Sequence, residues 1–429
     1  VLPPILLTLC VLTATWKLWL GDRAIARGDL LLYFYPLREY ASQAIRAGRL
    51  PLWNPYTFMG APFLANSQVG FFYPFNVLLA WLPVEQQVSY NIVLHLLIAT
   101  LGMYTLAVRG LSMGRLGAFC AALAFGLGGY LGAQVEHLNQ LQVLAWLPLA
   151  IFAIGGWRQE MIGTLTSSLP SLTRRALTLS VLLSLQILAG HTQSLYISLV
   201  TLGSVAMCHL LAYFVAKVQS HRSHLVTLPP YLRACAHHGL LILFACALAA
   251  AVCGAQLLPT LELSRESYRS GGLSFGEAAA FSWRPWVIAR ALLPTYGDPL
   301  FPEYIAYFGA TGLALALLGV LAGLRGEGKG KREATPPHHS SLSLFPFPLL
   351  PLSLTLIGFI LALGVVTPVF NVLYKVLPGF NLFRAQARWL IVFSLGLSML
   401  VGYGAQALCA RGSIKKNTAR LWLLLWLFL

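Results

Sequence analysis

Three groups of residues have types and spacings able to do chemistry. The first is a pair of carboxylates, Asp22 and Asp29, between an apolar run ending at Leu20 and an amphipathic stretch beginning at Pro36. A carboxylate near both membrane and water can act as a general base if an acceptor hydroxyl lies within hydrogen-bond reach and nearby cations hold a departing phosphate. Its plain alternative is a solvated loop acid. The second group is polar residues at the ends of apolar runs: Glu136 and His137, followed by Asn139, Gln140 and Gln142, and then His191 and Gln193 in a tight hairpin. Ionisable groups cost roughly 2.5 to 3.5 kcal/mol at the centre of a membrane helix, so they usually face a cavity or a partner. The alternatives are a surface loop for Glu136 and His137 and a structural hydrogen bond for His191. The third group is Arg265, Arg269, Arg284, Arg384 and Arg388. Arginine offers the bidentate geometry that phosphate oxygens accept, and Arg384 and Arg388 share a face if helical. Snorkelling to headgroups is the alternative. His137, His191 and an acid lack the spacing of a metal site, and the HxxH of His221 and His224 has no acid beside it.

The elements that must position these residues are membrane helices. Of 429 residues, 58% are hydrophobic and only 10% charged, against about 25% charged in soluble domains. A soluble fold is excluded. Apolar stretches of spanning length run Val1–Leu20, Val88–Val108, Leu116–Ala133, Leu141–Trp157, Ala176–Gly190, Ser194–Val215, Gly239–Leu258, Tyr304–Leu324, Phe345–Val366, Trp389–Leu408 and from Leu421 onward, which predicts about eleven helices. The expected fold is all-α, a polytopic integral membrane protein in a single transmembrane domain over 1–429. The chain begins at Val1 and ends inside an apolar run, which reads as a fragment whose C-terminal part is missing. Gly128 and Gly132, spaced small-xxx-small, point to close helix packing.

The net charge of +16 sits in short clusters between spans, which favours membrane lipids over nucleic acid as the partner. Alternation puts Arg109, Arg115, Arg158, Arg174, Arg175, the 217–233 cluster, the 325–344 linker and Arg411 to Arg420 on one side, cytoplasmic by the positive-inside rule. The N-terminus is then inside, and most acids lie outside. The seven cysteines sit mostly in apolar stretches without a CxxC pair and read as small core residues.

Chemistry is therefore expected in the outer loops 21–87, 260–303 and 367–388. In the first, Leu37, Tyr40, Ala41, Ala44 and Ile45 recur at helical spacing opposite Arg38, Glu39, Ser42, Gln43 and Arg46, which predicts an interfacial helix from Pro36 to Gly48. The aromatic and Pro-rich stretch from Pro51 to Phe75 is expected at headgroup depth.

At these residues the chain resembles a known family. GDLLLYFYP (Gly28 to Pro36), RAGRLPLWNPYTFMGAPFLAN (Arg46 to Asn66) and FYPFN (Phe72 to Asn76) look like the first-loop signature of the YfhO-like bacterial membrane proteins. EHLNQLQVLAWLPL (Glu136 to Leu149), AGHTQSLY (Ala189 to Tyr196), GAQLLPTLELSRES (Gly254 to Ser267), YFGATGLALALLG (Tyr307 to Gly319) and FRAQARWL (Phe383 to Leu390) follow in order. That family is similar to GT-C glycosyltransferases, which take a sugar from a polyprenyl-phosphate donor on the outer face of a membrane. The resemblance implies a GT-C-like fold in the bacterial cytoplasmic membrane, a polyprenyl-phosphate-linked sugar as donor, and a glycan or wall-polymer acceptor. It implies Asp29 as the base in an inverting transfer, with Asp22 second. Tyr33, Tyr35, Trp53, Asn54, Glu136, His137, Gln140, His191, Gln193, Arg265, Arg384 and Arg388 are expected to line the substrate. No cofactor is required, and a divalent metal is left open. Two other functions compete: a lipid or polysaccharide transporter or flippase, and a non-catalytic cell-envelope assembly protein.

Overall fold

The computed structural model describes residues 2–21, 24–155, 169–219, 228–293, 299–325 and 349–410, with side chains described except at 169–171, 212–219 and 228–237. Asp22, the 217–233 loop's His221 and His224, nearly all of the 325–344 linker and the run from Leu421 lie outside the described residues.

The described fold is helical apart from one small hairpin. In chain order the elements used below are α1 (Leu2–Ala14), α2 (Tyr35–Arg46), β1 (Trp53–Asn54), β2 (Ala61–Pro62), α3 (Val84–Gly110), α4 (Arg115–Glu136), α5 (Leu138–Ile154), α6 (Leu172–Ala189), α7 (Thr192–Leu211), α8 (His238–Val252), α9 (Gly254–Arg265), α10 (Pro302–Leu324), α11 (Leu349–Val366), α12 (Pro368–Val376) and α13 (Gln386–Ala410). Seven helices (α3, α4, α6, α7, α10, α11 and α13) are long and apolar enough to cross a membrane, and α8 with α9 makes an eighth if that bent pair is one span. The protein is thus a multi-pass membrane protein. α1 and α5 are apolar but shorter, so eleven full spans are not seen among the described residues.

The shortfall at α1 has a local cause. The Val11 carbonyl still accepts from the Thr15 N–H at 3.0 Å, but that of Leu12 accepts from Trp19 Nε1 at 2.8 Å, so a side chain takes a carbonyl that a continuing helix needs. The predicted run 239–258 also breaks, turning by 88° between α8 and α9. α9 then lies against the first loop, where Gln256 Nε2 donates to the Leu64 carbonyl and Thr260 Oγ1 to that of Ala65, both at 2.9 Å.

α13 is the centre of the bundle. Of its most apolar window, 83% is buried, against 33% for α10 and for α11, and α4, α10 and α11 all pack on it. Lipid tails are as apolar as the helices, so close backbone approach must supply the attraction. A Cβ at Gly404 would stand only 1.8 Å from the Leu315 carbonyl oxygen of α10. Gly132 meets nothing within 4 Å, so the close packing expected there falls on α10 and α13 instead. Cys10, Cys120, Cys208, Cys246, Cys253 and Cys409 form no disulfide with one another.

The amphipathic helix of the first loop forms as α2, but protein covers it on two sides. Leu37, Ala41 and Ala44 pack against Phe63, Leu64, Val69 and Phe71. Arg38 and Ser42, expected on the solvent face, are also buried, and Ser42 Oγ donates to Gln87 of α3 at 2.9 Å. The most exposed apolar residues of the loop, Tyr56, Phe58 and Met59, are at the tip of the β1–β2 hairpin.

A buried polar layer fastens this loop to the bundle. Gln142 Nε2 on α5 donates to the side-chain oxygens of both Asn76 and Asn91 at 2.9 Å. Trp146 Nε1, one turn on, donates to Tyr73 Oη at 2.9 Å, and Tyr73 in turn meets His95 Nε2 of α3 at 2.6 Å. His95 Nδ1 faces the Asn91 carbonyl at 2.7 Å, so it carries the ring proton and Tyr73 donates to Nε2. Gln142→Leu would strand two buried amide oxygens, each worth about 1 to 3 kcal/mol. A fall of several degrees in the thermal midpoint in detergent micelles is expected, and an unchanged midpoint would show that the layer does not hold the loop.

Candidate functional site

At one end of the bundle, five segments that are distant in sequence meet. Asp29 sits at the start of the helical stretch leading into α2, Glu136 and His137 at the α4–α5 junction, His191 and Gln193 at the α6–α7 turn, Glu303 at the start of α10, and Arg388 in the first turn of α13. Each helix therefore delivers its site residue from an end, where backbone groups are free and polar side chains reach water.

The best-defined contact is between Arg388 and Glu303. Arg388 Nε donates to Glu303 Oε1 at 2.8 Å and Nη2 donates to the same oxygen, while Nη1 donates to Gln193 Oε1 at 2.6 Å. Gln193 Nε2 then donates to the Arg384 carbonyl at 2.6 Å. Glu303 is only 2% exposed and Arg388 18%. Arg388 is thus neutralised and fixed by protein rather than left for a phosphate. Its own carbonyl accepts from Tyr130 Oη at 3.1 Å, and Gln140 Nε2 donates to Tyr130 Oη at 3.0 Å. The clasp joins α4, α5, α7, α10 and α13.

Beside it stands the Asp29–His137 pair, with Oδ2 of the acid 3.6 Å from Nε2 of the imidazole. Asp29 is largely exposed and His137 largely covered. Burial pushes the His137 pKa below its ordinary value; Glu303 pulls it up, Arg388 pushes it down, and Asp29 and Glu136 pull it up further. Burial, then Arg388, then His137 hold His191 well below the usual histidine range. Both rings are therefore neutral at physiological pH. Ser194 N–H donates to His191 Nδ1 at 3.1 Å, which leaves the ring proton on Nε2 as a fixed donor. His137 Nδ1 and Glu303 Oε2 are buried without a hydrogen-bond partner among the described residues, so each can take one from a bound molecule.

Glu136 pairs with Arg27 at 2.8 Å and packs against Gly28, where a Cβ would stand 2.7 Å from Oε2. Tyr33 accepts from Asn66 Nδ2 at 2.8 Å; burial raises its pKa, and Asp29 adds to the rise. These contacts hold the backbone around Asp29 on both sides.

The side chains of the other expected residues make no bond to this cluster among the described residues. Tyr35 donates to the Ile25 carbonyl at 3.2 Å. Trp53 and Asn54 belong to the hairpin, where Asn54 bonds Thr57 and the Tyr56 N–H, both at 2.9 Å, and so closes a turn. Arg265 is exposed at the end of α9 with no bond to the cluster among the described residues. Arg384 contributes its carbonyl to Gln193, while its guanidinium lies over the Phe281 ring, 5.9 Å from its centre, and makes no ion pair among the described residues. Among the described residues no three His, Cys, Asp or Glu side chains are grouped to hold a metal ion.

No family model, curated protein or solved structure matches the chain. The resemblance to YfhO-like proteins rests on the sequence motifs alone.

Glu303, Tyr130 and Arg27 lie outside the set of residues expected from sequence. A signal existed for Glu303: like Glu136, it is an acid at the very end of an apolar run. Removing its charge strands a buried guanidinium, which costs about 3 to 5 kcal/mol. Glu303→Gln is therefore expected to lower the thermal midpoint strongly and Glu303→Gln with Arg388→Met to recover much of it. A Glu303→Gln midpoint equal to wild type would contradict the clasp.

Proposed function

We propose that this chain is a membrane glycosyltransferase of the GT-C type, moving a sugar from a polyprenyl-phosphate donor to an extracytoplasmic acceptor such as a cell-wall polymer. The observation carrying this reading is the meeting of Asp29, His137, His191, Gln193, Glu303 and Arg388 at one end of the helices. The family motifs name the same end of the molecule.

Asp29 supplies the base. The acceptor hydroxyl gives its proton to the carboxylate as its oxygen attacks the anomeric carbon from the face opposite the phosphate. The bond from that carbon to the phosphate oxygen breaks, inverting the centre, and the lipid phosphate departs with the electron pair. Arg384 is the cation free to meet it, since Arg388 is committed to Glu303. The neutral His191 Nε2–H and the partnerless Glu303 Oε2 suit sugar hydroxyls, one donating and one accepting.

The orientation follows from charge at the two ends of the helices. Arg115, Arg175 and Arg325 lie at the ends of α4, α6 and α10 remote from Glu136, His191 and Glu303. A 22-residue helix is roughly 33 Å long, so the basic ends are a bilayer away from the acids. The positive-inside rule then puts the cluster outside the cytoplasmic membrane with α1 and α5 also crossing. One feature favours a transporter: the 88° break between α8 and α9, since broken helices often line transport sites.

The test uses membranes containing the chain and a polyprenyl-phosphate sugar, with transfer to wall polymer as the readout. Asp29→Asn is expected to lower transfer by at least ~100-fold with insertion unchanged. Equal transfer in both proteins removes Asp29 as base. No transfer in either, with lipid or glycan moved across liposomes, favours the transporter.

A further inference from the structure

Arg38 is the cation that the fold leaves unexplained. Helical spacing puts it on the polar face of α2, yet it is only 3% exposed. No hydrogen bond or ion pair to a described residue engages its guanidinium, and Nη2 is fully buried without a partner. Its electrostatic neighbours are the hydroxyl of Tyr73 and the ring of His95, and one turn along α2 lies Ser42 bonded to Gln87. All are neutral. Other arginines among the described residues pair with acids: Arg27 with Glu136, Arg46 with Glu39 and Arg388 with Glu303.

A guanidinium stays charged under physiological conditions. Burial pushes the Arg38 pKa down, to about 9, with Tyr73 pulling the other way, so the side chain is still a cation at neutral pH. Burying a charge without a counter-ion is strongly unfavourable. The Tyr73–His95–Trp146 chain fixes neutral groups on one side of Arg38. An anion from outside the protein would relieve the buried charge, and a planar fork of N–H donors matches phosphate oxygens.

We propose that Arg38 is the core of an anion site that takes a phosphate group, supplied either as free phosphate or as the head of a lipid. This site is distinct from the Asp29 cluster and does not depend on the transferase reading. It accounts for a buried arginine in a loop otherwise fastened by neutral amides and hydroxyls.

The experiment is a thermal-unfolding titration of the purified chain in an uncharged detergent and phosphate-free buffer. The probes are inorganic phosphate, farnesyl phosphate and, as a chain without charge, farnesol. A bound phosphate is expected to raise the wild-type midpoint by about 4 °C at a hundredfold excess over its Kd. Arg38→Met is expected to show no such rise, and to be at least as stable as wild type without ligand, because it removes an unpaired buried charge. Arg38→Lys, which keeps the charge and loses the fork, is expected to retain a smaller rise. A rise with inorganic phosphate alone identifies a free-anion site; a rise with farnesyl phosphate but with neither inorganic phosphate nor farnesol identifies a lipid head. No rise in wild type with either phosphate probe overturns the proposal, as does an equal rise in wild type and Arg38→Met. If Arg38→Met does not fold, the wild-type and Arg38→Lys responses decide by the same criteria.

Discussion

A charged pair buried among five helices constrains the rest of this molecule. Arg388 and Glu303 come from segments 85 residues apart, and neither can be left alone in a low-dielectric interior. Once they meet, the start of α13 is fixed against the start of α10. Gln193 extends the contact to the α6–α7 turn, and Tyr130 with Gln140 extends it to α4 and α5. The field of this pair also acts on His137 and His191. Burial is the larger cause of the neutrality of both imidazoles beside Asp29, and Arg388 adds to it.

The remainder of the architecture solves the problem of joining helices that gain little from hiding apolar surface. α10 and α13 approach closely because glycine removes the side chain at the crossing. α3, α5 and the first loop are instead joined by amides and hydroxyls: Gln142 bridging Asn76 and Asn91, and Trp146, Tyr73 and His95 in a chain. Such groups find no water in the bilayer and so hold to one another. They also bring the first loop, which carries Asp29, into one fixed relation with the helix ends that carry His137 and His191.

Much of this was legible in the sequence because bilayer thickness acts on each segment separately. Apolar runs of spanning length locate α3, α4, α6, α7, α10, α11 and α13 to within a few residues. Polar residues at the ends of those runs, Glu136, His137, His191 and Gln193, do converge. What stayed hidden depends on tertiary partners. Periodicity puts Arg38 and Ser42 on a wet face, and only the approach of α3 buries them. Arg384 and Arg388 have the same type and nearly the same position, yet one meets Glu303 and the other does not. Trp53 and Asn54 have the composition of a binding motif and serve to close a hairpin. At the end of α1 the Trp19 side chain captures the Leu12 carbonyl, which apolar run length does not register.

Transfer from a donor on the outer face requires the Asp29 end of the bundle to face the outside of the membrane. In a cysteine-free background, single cysteines at Asp29 and at Arg175 would be reacted with a membrane-impermeant maleimide in intact cells and again after permeabilisation. The account predicts that Asp29→Cys is labelled in intact cells and Arg175→Cys only after permeabilisation. The reverse pattern would put the cluster in the cytoplasm and contradict a transfer reaction on the outer face.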